Sequence, residues 1–393
     1  MTKQNFVMNL YSHLECSFCH KKYDKSTVQN YCHPCNQPLL AKYQLDKSIK
    51  KDIILHDRYD MWRYSALLPI ENKDNIVTLG EGWTPMLSLK KTAEVLDLQT
   101  LIMKEEGLNP TGSFKARGIG MAVSKAKEMG IESFSIPTAG NAGSALSAYT
   151  AAMGGKAYIY MPEATPPVFK LDCEVMDAKV VRIDGSIRDA GMAMAKDNEN
   201  GKWWDITTLK EPFRLEGKKT MGYEIAEQLN WQLPDVIIYP TGGGTGLIGI
   251  WKAFQEMKEM GWVSDIPTRM VAVQTDGCNP VVVSYKKGMD HCDVFENPKN
   301  TIANGLRVPK AFGDRLIMST ISDSGGCALD VSEDDMKNAI YEFATREGIF
   351  LCPEGASVYA ALKVLVASKY INKTDKVVLI NTGSPYKYVE NLY

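Results

Sequence analysis

A lysine at the start of a predicted helix is the first feature of this sequence that could perform covalent chemistry. The segment Asn109-Pro-Thr-Gly-Ser-Phe-Lys115-Ala-Arg-Gly places turn-forming residues before a run with apolar residues at helical spacing. Lys115 is therefore predicted in the first helical turn, where the helix dipole destabilises a protonated amine. An unprotonated amine is what imine formation requires. Taken alone, a solvated lysine at a helix start is the commoner interpretation.

Two further loops connect a predicted strand to a predicted helix and offer donors to an anion. Thr138-Ala-Gly-Asn141 can bind a carboxylate through its backbone amides, and Asn141 can donate to a phenolate oxygen. An ordinary helix cap is the alternative for this loop. The glycine loop, Gly242-Gly243-Gly244-Thr245-Gly246, can hold a phosphate through backbone N–H groups and the Thr245 hydroxyl.

The glycine loop has a competing interpretation as a dinucleotide site, because residues 244–249 satisfy the pattern GxGxxG after a strand. That site requires an acidic residue about 20 positions later, at the end of the next strand. Asp265 comes before that strand and Asp276 comes too late. The sequence therefore favours a simple phosphate site.

The closing predicted strand, Lys-Val-Val-Leu-Ile, runs into Asn381-Thr382-Gly-Ser384. The carboxyl end of a parallel strand lies at the sheet edge where α/β enzymes bind ligands. Thr382 is therefore a candidate ligand contact, with Ser384 as its alternative. Without the other three segments, an ordinary turn would be the default.

Together, these segments resemble fold-type II pyridoxal-phosphate enzymes, and above all the threonine synthase-like family, where NPTGSFKDRG is the usual lysine motif. Here Ala116 replaces the common aspartate. The resemblance implies that Lys115 carries pyridoxal 5'-phosphate as a Schiff base and moves the substrate Cα proton. It also implies that Asn141 binds the 3'-oxygen of the cofactor, residues 242–246 its phosphate and Thr382 its pyridine nitrogen.

The reaction implied by the resemblance is a γ-elimination followed by a β-addition. It would convert O-phospho-L-homoserine and water to L-threonine and phosphate, which makes the protein a carbon–oxygen lyase. The family's substrate-phosphate segment, NSxNPYRxEGQKT, aligns within residues 207–220, and Arg214 is kept. Arg214 and the Thr138 loop are therefore the predicted substrate contacts.

Three departures from the family pattern leave other substrates open. Leu209 and Glu211 stand where the family has polar side chains in the phosphate segment, and Gly243 replaces a polar residue of the glycine loop. A carboxylate at position 211 opposes a phosphate dianion unless nearby cations compensate. The alternatives are a cysteate synthase, a serine/threonine dehydratase or a diaminopropionate ammonia-lyase.

Four cysteines near the N-terminus form a predicted metal site. Cys16-x2-Cys19 and Cys32-x2-Cys35 are two knuckles separated by twelve residues, a spacing that suits tetrahedral Zn²⁺ with no open position. The zinc is therefore predicted to be structural, and disulfides are not expected in the cytoplasm. Zinc ribbons often bind nucleic acid, so a non-catalytic ribbon-containing binding protein is the alternative of a different class. Some threonine synthase-like sequences carry such a ribbon, which favours a docking or stabilising module.

The elements that position these residues follow an alternation of strands and helices. This rhythm begins near Ile76 and predicts an α/β fold with two parallel-sheet domains covered by helices. By resemblance the fold is that of the tryptophan synthase β-like enzymes. The predicted domains are a zinc ribbon at 1–45 and a catalytic region at 46–393, with a small domain at about 120–220. Residues 277–330 are predicted as loops.

The amino-acid composition limits the expected binding partners and location of the protein. Lys and Arg total 45 against 47 Asp and Glu, so no basic field indicates a nucleic-acid partner. Neither a leader peptide nor a membrane helix is predicted. We expect a cytoplasmic enzyme, a homodimer by resemblance, that acts on a small amino-acid substrate.

Overall fold

Alternating strands and helices fill most of the computed structural model, which describes residues 9–391. The first eight residues of the predicted module 1–45 and the last two of the predicted region 46–393 lie outside the described residues. In chain order the strands are Tyr11–Cys16 (β1), Lys22–Tyr23 (β2), Tyr31–Cys32 (β3), Gln37–Tyr43 (β4), Met86–Ser88 (β5), Thr100–Glu105 (β6), Ser133–Pro137 (β7), Lys156–Pro162 (β8), Lys179–Ile183 (β9), Trp204–Asp205 (β10), Val236–Pro240 (β11), Arg269–Thr275 (β12), Cys327–Val331 (β13) and Lys376–Asn381 (β14).

The α-helices are distributed between and after these strands. In chain order they are Lys90–Val95 (α1), Lys115–Glu128 (α2), Asn141–Met153 (α3), Pro167–Glu174 (α4), Ile187–Asp197 (α5), Phe213–Gln228 (α6), Thr245–Glu259 (α7), Pro280–Lys286 (α8), Asp314–Asp323 (α9), Glu333–Glu347 (α10) and Pro353–Ala367 (α11). Within the described residues, no helix has the length and apolar character needed to cross a membrane.

The described chain divides into two compact units. The first unit comprises residues 9–83, 109–111 and 115–220, and the second comprises 84–108, 112–114 and 221–391. The ribbon strands therefore belong to the first unit.

The first unit contains two sheets. The N-terminal ribbon is an antiparallel sheet in the order β2-β1-β4-β3, and its small core includes Leu14, Leu39 and Ala41. The other sheet is parallel, in the order β10-β7-β8-β9. Helix α5 beside it begins with a capping box formed by Ser186 and Asp189, which satisfies the donors of the first turn.

The second unit is built on a six-stranded sheet in the order β13-β12-β11-β14-β6-β5. All its neighbouring strands are parallel except the β5–β6 pair. Strands β11 and β14 are almost entirely buried, as expected for parallel strands covered on both faces. The last of the described strands, β14, lies in the interior of this sheet, between β11 and β6.

These two parallel-sheet units confirm the predicted α/β fold class. The prediction of loops over residues 277–330 is wrong in part, because α8, α9 and β13 lie there. Helix α9 has a buried apolar stripe that includes Ile317 and Ile321, so its helical period is visible in retrospect.

Candidate active site

Lys115 is the first residue of helix α2, as predicted. It is half-buried, whereas the helix behind it buries Ile119, Ala122 and Val123 completely. Two consecutive residues before it, Thr111 and Gly112, have φ angles of 58° and 66°. This left-handed turn is how the chain enters the helix with Lys115 at its start.

The three residues before Lys115 pair with the end of the closing strand in the second unit. The backbone N–H of Phe114 donates to the Thr382 carbonyl oxygen at 3.0 Å, and the N–H of Ser384 donates to the Gly112 carbonyl oxygen at 2.8 Å. Ser113 and Gly383 form an isolated antiparallel bridge. Two segments predicted separately, the lysine loop and the strand end with Thr382, are therefore hydrogen-bonded to each other.

A buried carboxylate that the sequence analysis missed supports this strand end. Glu105 and Asn381 are register neighbours on β6 and β14, and the Asn381 Nδ2 donates to both Glu105 oxygens at 2.8 and 2.9 Å. The Cys352 thiol donates to the Asn381 Oδ1 at 3.1 Å. Burial raises the pKa of Glu105 to about 7, and the bond from Asn381 opposes that rise. The sequence signal that could have predicted this pair is a polar residue at the end of each strand, Glu105 in β6 and Asn381 in β14.

The glycine loop lies at the start of helix α7. Gly244 is the N-cap residue with φ = 76°, and no side chain caps the helix. A Cβ at position 246 would lie 1.8 Å from the Tyr239 hydroxyl oxygen, so only glycine fits there. Three consecutive glycines, Gly242 to Gly244, at the N-terminus of a 15-residue helix leave backbone donors open to an anion, which fits a phosphate group.

The Thr138–Asn141 loop has a related geometry in the first unit. Asn141 is the first residue of helix α3, and Gly140 is the N-cap residue without a side-chain cap. Asn141 is therefore the first helical residue and not the N-cap residue, in contrast to the ordinary-cap alternative. The Thr138 hydroxyl accepts from the Gly140 N–H at 3.2 Å, which orders the loop.

Arg214 lies in the first turn of helix α6 and is almost fully buried in the first unit. Its Nη1 donates to the Ile206 carbonyl oxygen at 2.7 Å, while its Nε has no hydrogen-bond partner among the described residues. A buried guanidinium with an unused donor is an arrangement that an anionic ligand can complete.

Glu211 caps the helix that carries Arg214. Its carboxylate accepts from the backbone N–H of Phe213 at 2.8 Å and from that of Arg214 at 3.0 Å. Burial raises the pKa of Glu211 to about 7, and the positive charge of Arg214 opposes that rise. Burial also lowers the pKa of Arg214. Glu211 therefore has a local structural role at the helix start.

The four cysteines of the ribbon converge on one point. The ligand atoms of Cys16, Cys19, Cys32 and Cys35 all lie within 4.8 Å of one another, and no cysteine among residues 9–391 forms a disulfide. The Tyr23 hydroxyl donates to the Cys32 sulfur at 3.1 Å. Burial raises the pKa of Cys32, but this hydrogen bond and others outweigh it and lower the pKa to about 7. Four converging sulfurs with thiolate-stabilising donors fit tetrahedral Zn²⁺.

Comparison with known proteins agrees with this geometry. A family model described as pyridoxal-phosphate dependent enzyme matches residues 77–383. The chain therefore belongs to the family of pyridoxal-phosphate-dependent enzymes, and pyridoxal phosphate is its cofactor.

Two similar proteins have a narrower description than the family model. The threonine synthase of Methanocaldococcus jannaschii is 34% identical over 376 residues, which cover 95% of this chain and 92% of the relative. The threonine synthase of Methanosarcina acetivorans is 34% identical over 374 residues, 94% and 91% of the two chains. The resemblance predicted from the sequence is confirmed.

A solved structure supports the fold alone. The processed form of threonine deaminase isoform 2 from Solanum lycopersicum superposes with a TM-score of 0.66 at 20% identity, covering 79% of this chain and 86% of the other. Its similarity agrees with the fold-type II assignment.

Proposed function

We propose that this protein is a threonine synthase, a pyridoxal-phosphate-dependent lyase that converts O-phospho-L-homoserine and water to L-threonine and phosphate. The similarity to threonine synthases along 95% of the chain is the observation that carries this proposal. The kept Arg214, with its unused buried donor, supports a phosphorylated substrate.

The proposed site assigns one task to each predicted residue. When bound, the cofactor supplies an electron sink for the Cα–H and Cγ–O bonds that break. Lys115 anchors the cofactor and moves the proton at Cα. Asn141, residues 242–246 and Thr382 hold the cofactor, in the roles that the resemblance implies.

Two further groups orient the substrate in this proposal. The ordered backbone of the Thr138 loop suits the substrate carboxylate, since it precedes a helix N-terminus without a side-chain cap. Arg214 holds the distal phosphate, which aligns the Cγ–O bond for elimination.

The presence of Glu211 is compatible with a phosphorylated substrate. Its carboxylate is occupied by two backbone N–H groups, and its pKa of about 7 reduces its negative charge near neutral pH. Repulsion of a phosphate dianion is therefore weaker than a solvated glutamate would cause. Elimination from serine, threonine or diaminopropionate, and cysteate synthesis, remain the second candidate, because Leu209 and Gly243 lack the family's polar side chains.

A substrate panel tests the proposal. The purified, cofactor-loaded protein is incubated separately with O-phospho-L-homoserine, O-phospho-L-serine plus sulfite, L-serine, L-threonine and diaminopropionate. We expect threonine and phosphate in equal amounts from the first compound alone. Ammonia release from the unphosphorylated amino acids, or sulfite consumption with O-phosphoserine, would instead support the second candidate function.

Other features of the proposal come from the resemblance and composition. We propose a cytoplasmic homodimer, in which residues 1–45 form a zinc ribbon and residues 46–393 the catalytic region. Size measurement by light scattering tests the homodimer directly.

A further inference from the structure

The zinc ribbon contacts the part of the first unit that carries Arg214. We call residues 204–216 the arginine segment, since it runs from strand β10 through the start of α6. The ribbon touches this segment at both ends, through Asn30 before β3 and through Tyr43 at the end of β4. A module that only stabilised itself around zinc would not need both contacts.

Asn30 forms hydrogen bonds to the first end of the arginine segment with both polar atoms of its side-chain amide. The Trp204 indole N–H donates to the Asn30 Oδ1 at 3.0 Å, and the Asn30 Nδ2 donates to the Asp205 carbonyl oxygen at 3.0 Å. Trp204 is buried and lies against the rings of Phe134 and Phe213. The ribbon side chain therefore fixes both the ring and the backbone of β10.

Asp205, which Asn30 contacts, is directly followed by Ile206, whose carbonyl oxygen is the acceptor that holds Arg214. The Ile206 N–H donates to the Ser135 carbonyl oxygen at 3.0 Å, and the Ile206 carbonyl oxygen accepts from the Arg214 Nη1 at 2.7 Å. A shift of the backbone at 205 would therefore move the group that orients the guanidinium. Placement within about 0.5 Å matters for such a contact.

The second end of the segment is held through a charged group. The Tyr43 hydroxyl donates to the Glu216 Oε2 at 2.6 Å, and Lys219 pairs with the same oxygen at 2.7 Å. The Lys219 ammonium also lies 3.8 Å from the centre of the Tyr43 ring. Helix α6 is thus fixed to the ribbon at Glu216, two residues after Arg214.

We propose that the zinc ribbon supports the substrate-phosphate site through Asn30, a positioning residue that acts on the substrate through Arg214. This inference rests on the proposed function, because it needs Arg214 to bind the substrate phosphate. It assigns the ribbon a specific task, to hold the arginine segment in register.

The test compares two Asn30 variants with a control in the same module. Asn30→Leu removes both hydrogen bonds, whereas Asn30→Asp keeps the acceptor for Trp204 and loses the donor to Asp205. Lys25→Ala is the matched control, because it breaks a ribbon contact to Glu71, which lies outside the arginine segment. Zinc content and cofactor absorbance are measured on every protein, since both should equal those of the wild type.

Two readouts follow the arginine segment. In hydrogen exchange, amides of residues 204–216 should exchange about 3- to 10-fold faster in Asn30→Leu, in line with the loss of about one net hydrogen bond. With O-phospho-L-homoserine, KM should rise about 3- to 10-fold while kcat changes less than about twofold. Asn30→Asp should show a smaller effect in the same direction, and Lys25→Ala should match the wild type.

Wild-type exchange over residues 204–216 in both Asn30 variants would overturn the inference, as would equal changes in Lys25→Ala. Faster exchange with an unchanged KM would also overturn it, because Arg214 would then not depend on Asn30. The exchange readout needs no substrate. If the wild type releases no phosphate, the proposed function fails, yet exchange still shows whether Asn30 holds the segment.

Discussion

Replacing Arg214 by alanine is expected to impair turnover of O-phospho-L-homoserine while leaving cofactor binding intact. Arg214 is only 2% exposed, so a phosphate contact made there would be shielded from solvent. A hydrogen bond between charged groups contributes about 1.5–3 kcal/mol, which corresponds to a loss of roughly 10- to 150-fold in kcat/KM. We expect a value in the upper half of that range, because few polar side chains of the family's phosphate segment remain.

The structure also indicates how much Arg214→Ala should destabilise the folded protein. Without Arg214, the Ile206 carbonyl oxygen loses its donor and Glu211 loses a nearby cation. Leaving one buried acceptor unsatisfied costs about 1–3 kcal/mol of stability, so the variant should unfold at a lower temperature. Arg214→Lys separates the two effects, because it keeps a positive charge but not the planar fork of donors. It should restore part of the stability and leave a loss of about tenfold in kcat/KM.

The assay is steady-state phosphate release, with the cofactor absorbance spectrum recorded on the same samples. An unchanged kcat/KM in Arg214→Ala would remove this residue from the substrate site. Loss of the cofactor spectrum together with activity would equally contradict the reasoning, since it would show that Arg214 supports the cofactor and not the substrate phosphate.

Three other outcomes are expected. Borohydride reduction followed by peptide mapping should place the cofactor label on Lys115, and a label elsewhere in Lys115→Ala would show that another lysine forms the imine. Purified protein should contain one zinc per chain, and its removal should speed hydrogen exchange over residues 9–45, because thiolate-bound zinc supplies folding free energy to such modules; protein purified without chelators that holds no zinc would exclude this site. The third outcome concerns Glu105, whose pKa in the folded protein is about 7 against an ordinary value of 4.5. The folded state then holds a proton that the unfolded chain has released, so this contribution to stability is present below pH 4.5 and is lost as the pH rises through about 7. Glu105→Gln should therefore reduce the fall in thermal midpoint between about pH 5 and pH 8, and an unchanged slope would assign the fall to other groups.

Local patterns were sufficient to predict many elements of this fold. The capping residues Ser186 and Ser332 precede helices α5 and α10, and turn residues before Lys115 mark the start of α2. Helix α11 could not be recognised in this way. Its first ten residues, 353–362, are all buried and mostly apolar, and a helix segment buried all round has no amphipathic period.

The candidate-site residues also divide into those with a local sequence signature and those without one. Lys115, Asn141 and the glycine loop are predictable because each lies where a loop meets a helix, and that local geometry has a residue signature. The Glu105–Asn381 pair and the Asn30–Trp204 contact join residues far apart in the sequence. No local pattern encodes such pairings, since they depend on how strands are ordered in a sheet and on where the ribbon packs.

The position of β14 sets the order in which the lysine loop can be completed during synthesis. This strand lies between β11 and β6, and the backbone that follows it supplies the partners of residues 112–114. During synthesis these partners, residues 382–384, are made long after Lys115. Until then the sheet lacks an interior strand, and the exposed edges of β6 and β11 are free to pair with other chains. Truncation of the final 20 or so residues should therefore yield an aggregating protein, not a shorter enzyme.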